Sequence, residues 1–138
     1  MHILNVMRMV EGEAARLSAG QLASAESLAE IERLKCRIGD ALKLPDDAVT
    51  PEFRDSDLHA LIAQASGNRV LQQIINDLKT RTSMFKFGRL LSWRKSVCAE
   101  HLEIIEALMA ADPQRAQKTM QDHVDQVRLM LLARLGGQ

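Results

Sequence analysis

Apolar residues recur along the chain every three or four positions, the spacing of an amphipathic helix, and no alternating strand pattern is visible. In residues 2–19 the stripe is Ile3, Val6, Met7, Val10, Ala14 and Leu17, and Gly20 offers a C-terminal stop. A second helix is predicted behind a Ser24 cap, with Leu28, Ile31, Leu34, Cys36, Ile38 and Leu42 on or near its inner side. The segment KLPDDAVTPEF breaks the pattern. Pro45 ends one helix, and Thr50-Pro51-Glu52 supplies a cap, a first-turn proline and an early acid for the next. That third helix runs to about Ser66, where Gly67-Asn68 punctuates it. Asn68 is placed to cap a fourth helix through Val70, Leu71, Ile74, Ile75 and Leu78, reaching Met84. KFGRLLSWRKS is ambiguous, and a loop or helix break is expected near Gly88 to Ser96. A fifth helix carries Val97, His101, Ile104, Ile105 and Leu108 and stops at AADPQ. There Asp112 caps, and Pro113 opens, a last helix that extends to about Leu135. Short connections favour antiparallel neighbours. The expected fold is all-α, an antiparallel bundle of about six to seven helices, with residues 1–138 forming a single domain.

Composition narrows the function. A chain of 138 residues, 46% hydrophobic and 26% charged, suits one folded core rather than disorder. Eighteen basic and 18 acidic residues leave a formal net charge of zero, which argues against binding nucleic acid by bulk electrostatics. No apolar run is long enough for a transmembrane helix, and MHILNVMRMVEGEAARL lacks the features of a secretory signal. Cys36 and Cys98 form neither a CxxC pair nor a disulfide framework. A cytoplasmic chain with reduced thiols and no membrane association is expected.

The candidate chemistry lies in three histidines on the apolar stripes. His101 follows Val97 by four residues and precedes Ile104 by three. His123 follows Met120 by three and precedes Val127 by four. His59 precedes Ile62 by three and follows Asp55 by four. Three imidazoles and one carboxylate thus project from three helices toward a shared interior. A buried polar group left unsatisfied costs about 1–3 kcal/mol, so each needs a hydrogen-bond partner or all share a divalent metal. Spacing alone leaves both readings open. Imidazole and carboxylate donors suit zinc, nickel, manganese or iron in a site with open positions. No HExxH motif, pair of Glu-x-x-His motifs, adjacent His-Asp, phosphate loop or nucleophile elbow occurs. Cys98 lies three before His101, but no oxyanion hole can be named, and a small core residue is the simpler reading.

These residues also carry a resemblance. Asp55-x-x-x-His59, ASGN at 65–68, EHLEIIEALMAADPQRAQKTMQDH at 100–123 and EGEAARLSA at 11–19 resemble the effector-binding FCD domain of the FadR branch of GntR-type bacterial transcription regulators. The similarity extends over almost the whole chain. It implies one divalent metal, zinc or nickel first and manganese or iron next, ligated by Asp55, His59, His101 and His123. It also implies a small organic acid as effector, a homodimer, and a sensory rather than enzymatic role. The family's N-terminal winged helix-turn-helix is expected to be absent from this chain, which alone should not bind DNA; DNA binding is expected only if such a domain is joined to it. The family often places an arginine four residues before the glutamate of an LE pair; here Met7 holds that place beside Arg8. Arg8 and Arg81 are candidates to clamp the acid, and Trp93, with Phe85 and Phe87, to line the mouth of its pocket. Two other functions stay in play. One is a metal-dependent hydrolase, with Glu100 as the nearest nominated base, although adjacent helical residues point about 100° apart. The other is a metal-free helical dimerisation module.

Overall fold

The computed structural model describes residues 2–21, 25–43, 55–82 and 91–136, excepting the side chains of 25, 55, 56, 91–94 and 134–136. Six helices and no strand occur among the described residues: α1 His2–Ala19, α2 Ala25–Leu42, α3 Asp55–Ala65, α4 Arg69–Thr82, α5 Leu91–Met109 and α6 Pro113–Gly136. The fold is the all-α bundle that the periodicity implies.

Helix α1 lies at the centre of the packing and touches α3, α4, α5 and α6, most extensively α6. Its buried positions are Leu4, Met7, Glu11, Gly12, Ala14, Ala15, Ser18 and Ala19, a face kept narrow by small residues. Gly12 is the tight point, because a Cβ there would stand 3.0 Å from Cγ of Gln121 on α6. Arg8 bonds Asp125 and Arg128 bonds Asn5, so α1 and α6 run antiparallel. Helices α5 and α6 are antiparallel as well, with Glu106 against Arg115 near the turn and Glu100 against His123 further along. The hydroxyl of Ser18 donates to the Ile62 carbonyl at 2.7 Å and ties α1 to α3. Leu4, Ile31, Leu58, Ile62, Ile104, Ile105 and Met120 fill the core and are each less than about one-fiftieth exposed.

The helix ends follow the cap chemistry. Oδ1 of Asn68 accepts the Leu71 amide at 3.0 Å, and Oδ1 of Asp112 accepts the Arg115 amide at 3.1 Å. Gly67 closes α3 with φ of 73°. Ala111 closes α5 with φ of 52°, while the Asp112 amide bonds the Ala107 carbonyl and the Ala111 amide bonds that of Leu108. This is a Schellman closure built on alanine where glycine is usual.

One expectation is corrected. Leu91–Ser96 is helical, as the first part of α5, where a loop or break was expected. No glycine or proline occurs from 89 to 112, and leucine, arginine and lysine enter a helix at little cost. The Ser24 cap, the Pro45 to Glu52 signals, Met84, Phe85, Phe87 and Gly88 lie outside the described residues. Among those described, no helix is long and apolar enough to cross a membrane.

Candidate metal centre

His59 on α3, His101 on α5 and His123 on α6 meet inside the bundle, and none is more than 4% exposed. Each is carried inward by its apolar neighbours: Leu58 and Ile62, Cys98 and Ile104, Met120 and Val124 are all buried. Ring centroids are 5.2 Å apart for His59–His101, 5.2 Å for His59–His123 and 4.8 Å for His101–His123. One nitrogen from each ring lies within 4.8 Å of one from each of the others.

Two carboxylates fix the rings from behind. Nδ1 of His59 donates to Oε1 of Glu11 on α1 at 2.8 Å, and Nδ1 of His123 donates to Oε1 of Glu100 on α5 at 2.6 Å. An ionised carboxylate only accepts, so these bonds place the proton on Nδ1 and leave the Nε2 lone pair of a neutral ring available. Burial by itself pushes the Glu11 carboxyl up. The charges of His59 and Lys79, the hydrogen bond from His59 and the charge of His123 outweigh it and hold Glu11 down at about 2. Nζ of Lys79, from α4, stands 3.4 Å from the same Oε1. The other Glu11 oxygen, Oε2, is buried without a hydrogen-bond partner.

This donor set fits a divalent metal. Neutral imidazoles suit zinc, nickel, manganese or iron, and a ligating histidine usually donates its other N–H to a carboxylate, as His59 and His123 do here. The buried negative charge of Glu11 is also better balanced with a cation among the rings. Nitrogens at about 2.0–2.1 Å in a tetrahedral set stand ~3.3–3.4 Å apart, so ring nitrogens within 4.8 Å of one another would draw together by up to ~1.5 Å on binding.

The other sequence candidates are placed as follows. Asp55 opens α3 one turn before His59, and its side chain lies outside the described residues. Nε of Arg8 bonds both Asp125 carboxylate oxygens, at 3.0 and 3.1 Å, at the part-exposed α1–α6 seam. Nε of Arg81 bonds Asp77 at 3.1 Å on the exposed side of α4. Trp93 belongs to α5, with its side chain outside the described residues. Cys98 is fully buried, as a core residue would be. Glu100, considered as a base beside His101, instead orients His123 on the next helix. Sequence reasoning missed Glu11 and Lys79. Glu11 was detectable, because it falls on the inward stripe Leu4, Met7, Ala14, Ala15, Ser18, and a buried acid needs a partner. Lys79 gave no such signal: it is a charge on a helix flank, and its reach to Glu11 depends on how α4 crosses α1.

A family model described as FCD domain matches residues 2–126 of the chain. No curated protein matches it.

Proposed function

We propose, from the premise that the chain belongs to the FCD domain family, that it is the effector-sensing domain of a GntR-type transcription regulator. FCD domains bind small-molecule effectors in such regulators. In this reading a small organic acid binds at a divalent metal in the bundle interior. The observation that carries it is the convergence of His59, His101 and His123, two of them braced by buried or half-buried carboxylates.

The three histidines would hold the ion, with Asp55 as fourth ligand and zinc or nickel the metals that best suit the set. When bound, the ion supplies a Lewis-acidic centre with positions left for ligand oxygens. Glu11 and Glu100 accept from Nδ1 of His59 and His123 and so fix the tautomer and orientation of the two rings. Through these residues α1, α3, α5 and α6 all reach one point, so a ligand there contacts the elements whose packing defines the bundle. Signalling then requires only that the acid bind one arrangement of these helices better than another. For Arg8 or Arg81 to clamp the acid, each would first have to leave Asp125 or Asp77. The domain would work in the cytoplasm as a homodimer and reach DNA only when joined to a winged helix-turn-helix.

The test is a thermal-shift screen of hydroxy acids and sugar acids on metal-loaded and metal-stripped protein. Stabilisation by some acids that requires the metal supports the reading. Equal response without metal, or none with it, would leave the centre purely structural.

A further inference from the structure

The two carboxylates that brace the histidines differ in their access to water. The Glu100 side chain is 23% exposed, and solvent screens its charge. The Glu11 side chain is 3% exposed, and its Oε2 is buried without a hydrogen-bond partner. Oε1 accepts from Nδ1 of His59 at 2.8 Å. One hydrogen bond from a neutral ring does not offset the burial of an ionised carboxylate, so Glu11 needs a cation close by.

Lys79 supplies it. Its Nζ, from α4, lies 3.4 Å from Oε1 of Glu11. That separation is longer than a normal N–H···O bond, so charge rather than a directional bond holds the pair. The contact is on the Nδ1 side of His59, so the carboxylate and the ring stand between the ammonium and the nitrogens that converge in the centre. Lys79 therefore acts through Glu11 and not on anything bound among the histidines. Its side chain is 26% exposed and lines, with His59, a cleft between α3 and α4. The ammonium keeps part of its hydration while it faces a dry carboxylate, which lowers the cost of placing it there.

A metal in the centre would face Glu11 from the other side, across the His59 ring. Glu11 then has two sources of positive charge when the centre is loaded and one when it is empty. We infer that Lys79 is the counter-ion of Glu11 that keeps the bundle folded while the centre is empty, and that it thereby moderates metal affinity, so that metal can leave without the bundle unfolding. The inference rests on the metal-centre reading above and adds to it a residue that sets how tightly the ion is held. A charge that favours the empty form over the loaded form must weaken metal binding by the same factor.

The test compares the unaltered protein with Lys79→Met, which keeps an apolar stem and drops the charge, at about pH 8, above the ordinary imidazole range. Metal-stripped Lys79→Met should melt about 5–10 °C lower, and the zinc-loaded form should lose clearly less. Zinc affinity, read by chelator competition, should become roughly three- to thirtyfold tighter. Lys79→Arg should restore both values. In a Glu11→Gln background, where no buried charge calls for a counter-ion, Lys79→Met should change zinc affinity by less than about twofold. A Lys79→Met protein that folds only with zinc is the same result at its extreme. Zinc affinity unchanged or weaker in Lys79→Met, or equal loss of stability in the stripped and loaded forms, would overturn the inference, since Lys79 would then serve packing alone. An effect on zinc affinity that persists in the Glu11→Gln background would overturn it too, because the route through Glu11 would be wrong. If the unaltered protein loads neither zinc nor nickel, the metal-centre reading falls and the inference with it.

Discussion

Nδ1 of His123 lies 2.6 Å from Oε1 of Glu100, so the residue immediately before one inward histidine braces the histidine of the neighbouring helix. With the matching Glu11–His59 pair, this gives the centre two carboxylate–imidazole units built from four helices. Both pairs are of the kind that sets the tautomer and basicity of a metal ligand.

Removing either brace should loosen the metal without removing a ligand. Glu100→Gln and Glu11→Gln are each expected to lower metal affinity about 10–100-fold, read by competition with a chromophoric chelator. The helical circular dichroism of both variants should remain. Affinity unchanged in both would mean that the carboxylates serve packing alone.

Metal should stabilise the fold. An ion bound only by the native state adds stability that grows with its free concentration, reaching about 2.7 kcal/mol at a hundredfold excess over Kd. Melting temperature should therefore rise on metal addition and fall with chelator. His59→Ala should abolish that difference. Because ligating imidazoles must be neutral, metal retention should weaken below about pH 6, as protons compete for the rings. A bound fraction constant from neutral pH to well below that value would contradict histidine ligation.

Two backbone positions should respond with opposite signs. Ala111 holds φ of 52° at the end of α5, a conformation costing an L-residue about 1–2 kcal/mol that glycine avoids. Ala111→Gly is expected to stabilise the protein by about 0.5–1 kcal/mol, the rest being lost to the freer unfolded chain. Gly67→Ala should do the reverse, by about 1–2 kcal/mol, because φ there is 73° and a Cβ would stand 2.7 Å from Oε1 of Gln21. Urea denaturation of the two variants beside the unaltered protein tests both at once.

The fold was legible wherever periodicity met a cap. Asn68 and Asp112 start α4 and α6 as their side chains suggest, and Gly20 and Gly67 follow the ends of α1 and α3. The start of α5 was not legible, because Gly88 reads as a helix breaker in the sequence, whereas the helix-forming residues after it carry α5 from Leu91. The three histidines were legible because each sits at helical spacing from core residues. Their braces were harder. Glu11 lay hidden among small residues on α1, and Glu100 looked unpromising only against its own helix. Which helix a charged flank residue faces, as for Glu100 and Lys79, depends on the packing of helices far apart in sequence, and that is not written in local spacing.

The central claim is that His59, His101 and His123 hold one divalent metal, and elemental analysis tests it most directly. Protein reconstituted with zinc or nickel and freed of excess ion should carry about one ion per chain by this ligand count, and the His59→Ala/His101→Ala double variant essentially none. Stoichiometric metal retained by the double variant, or no stoichiometric ion in the reconstituted unaltered protein, would contradict it.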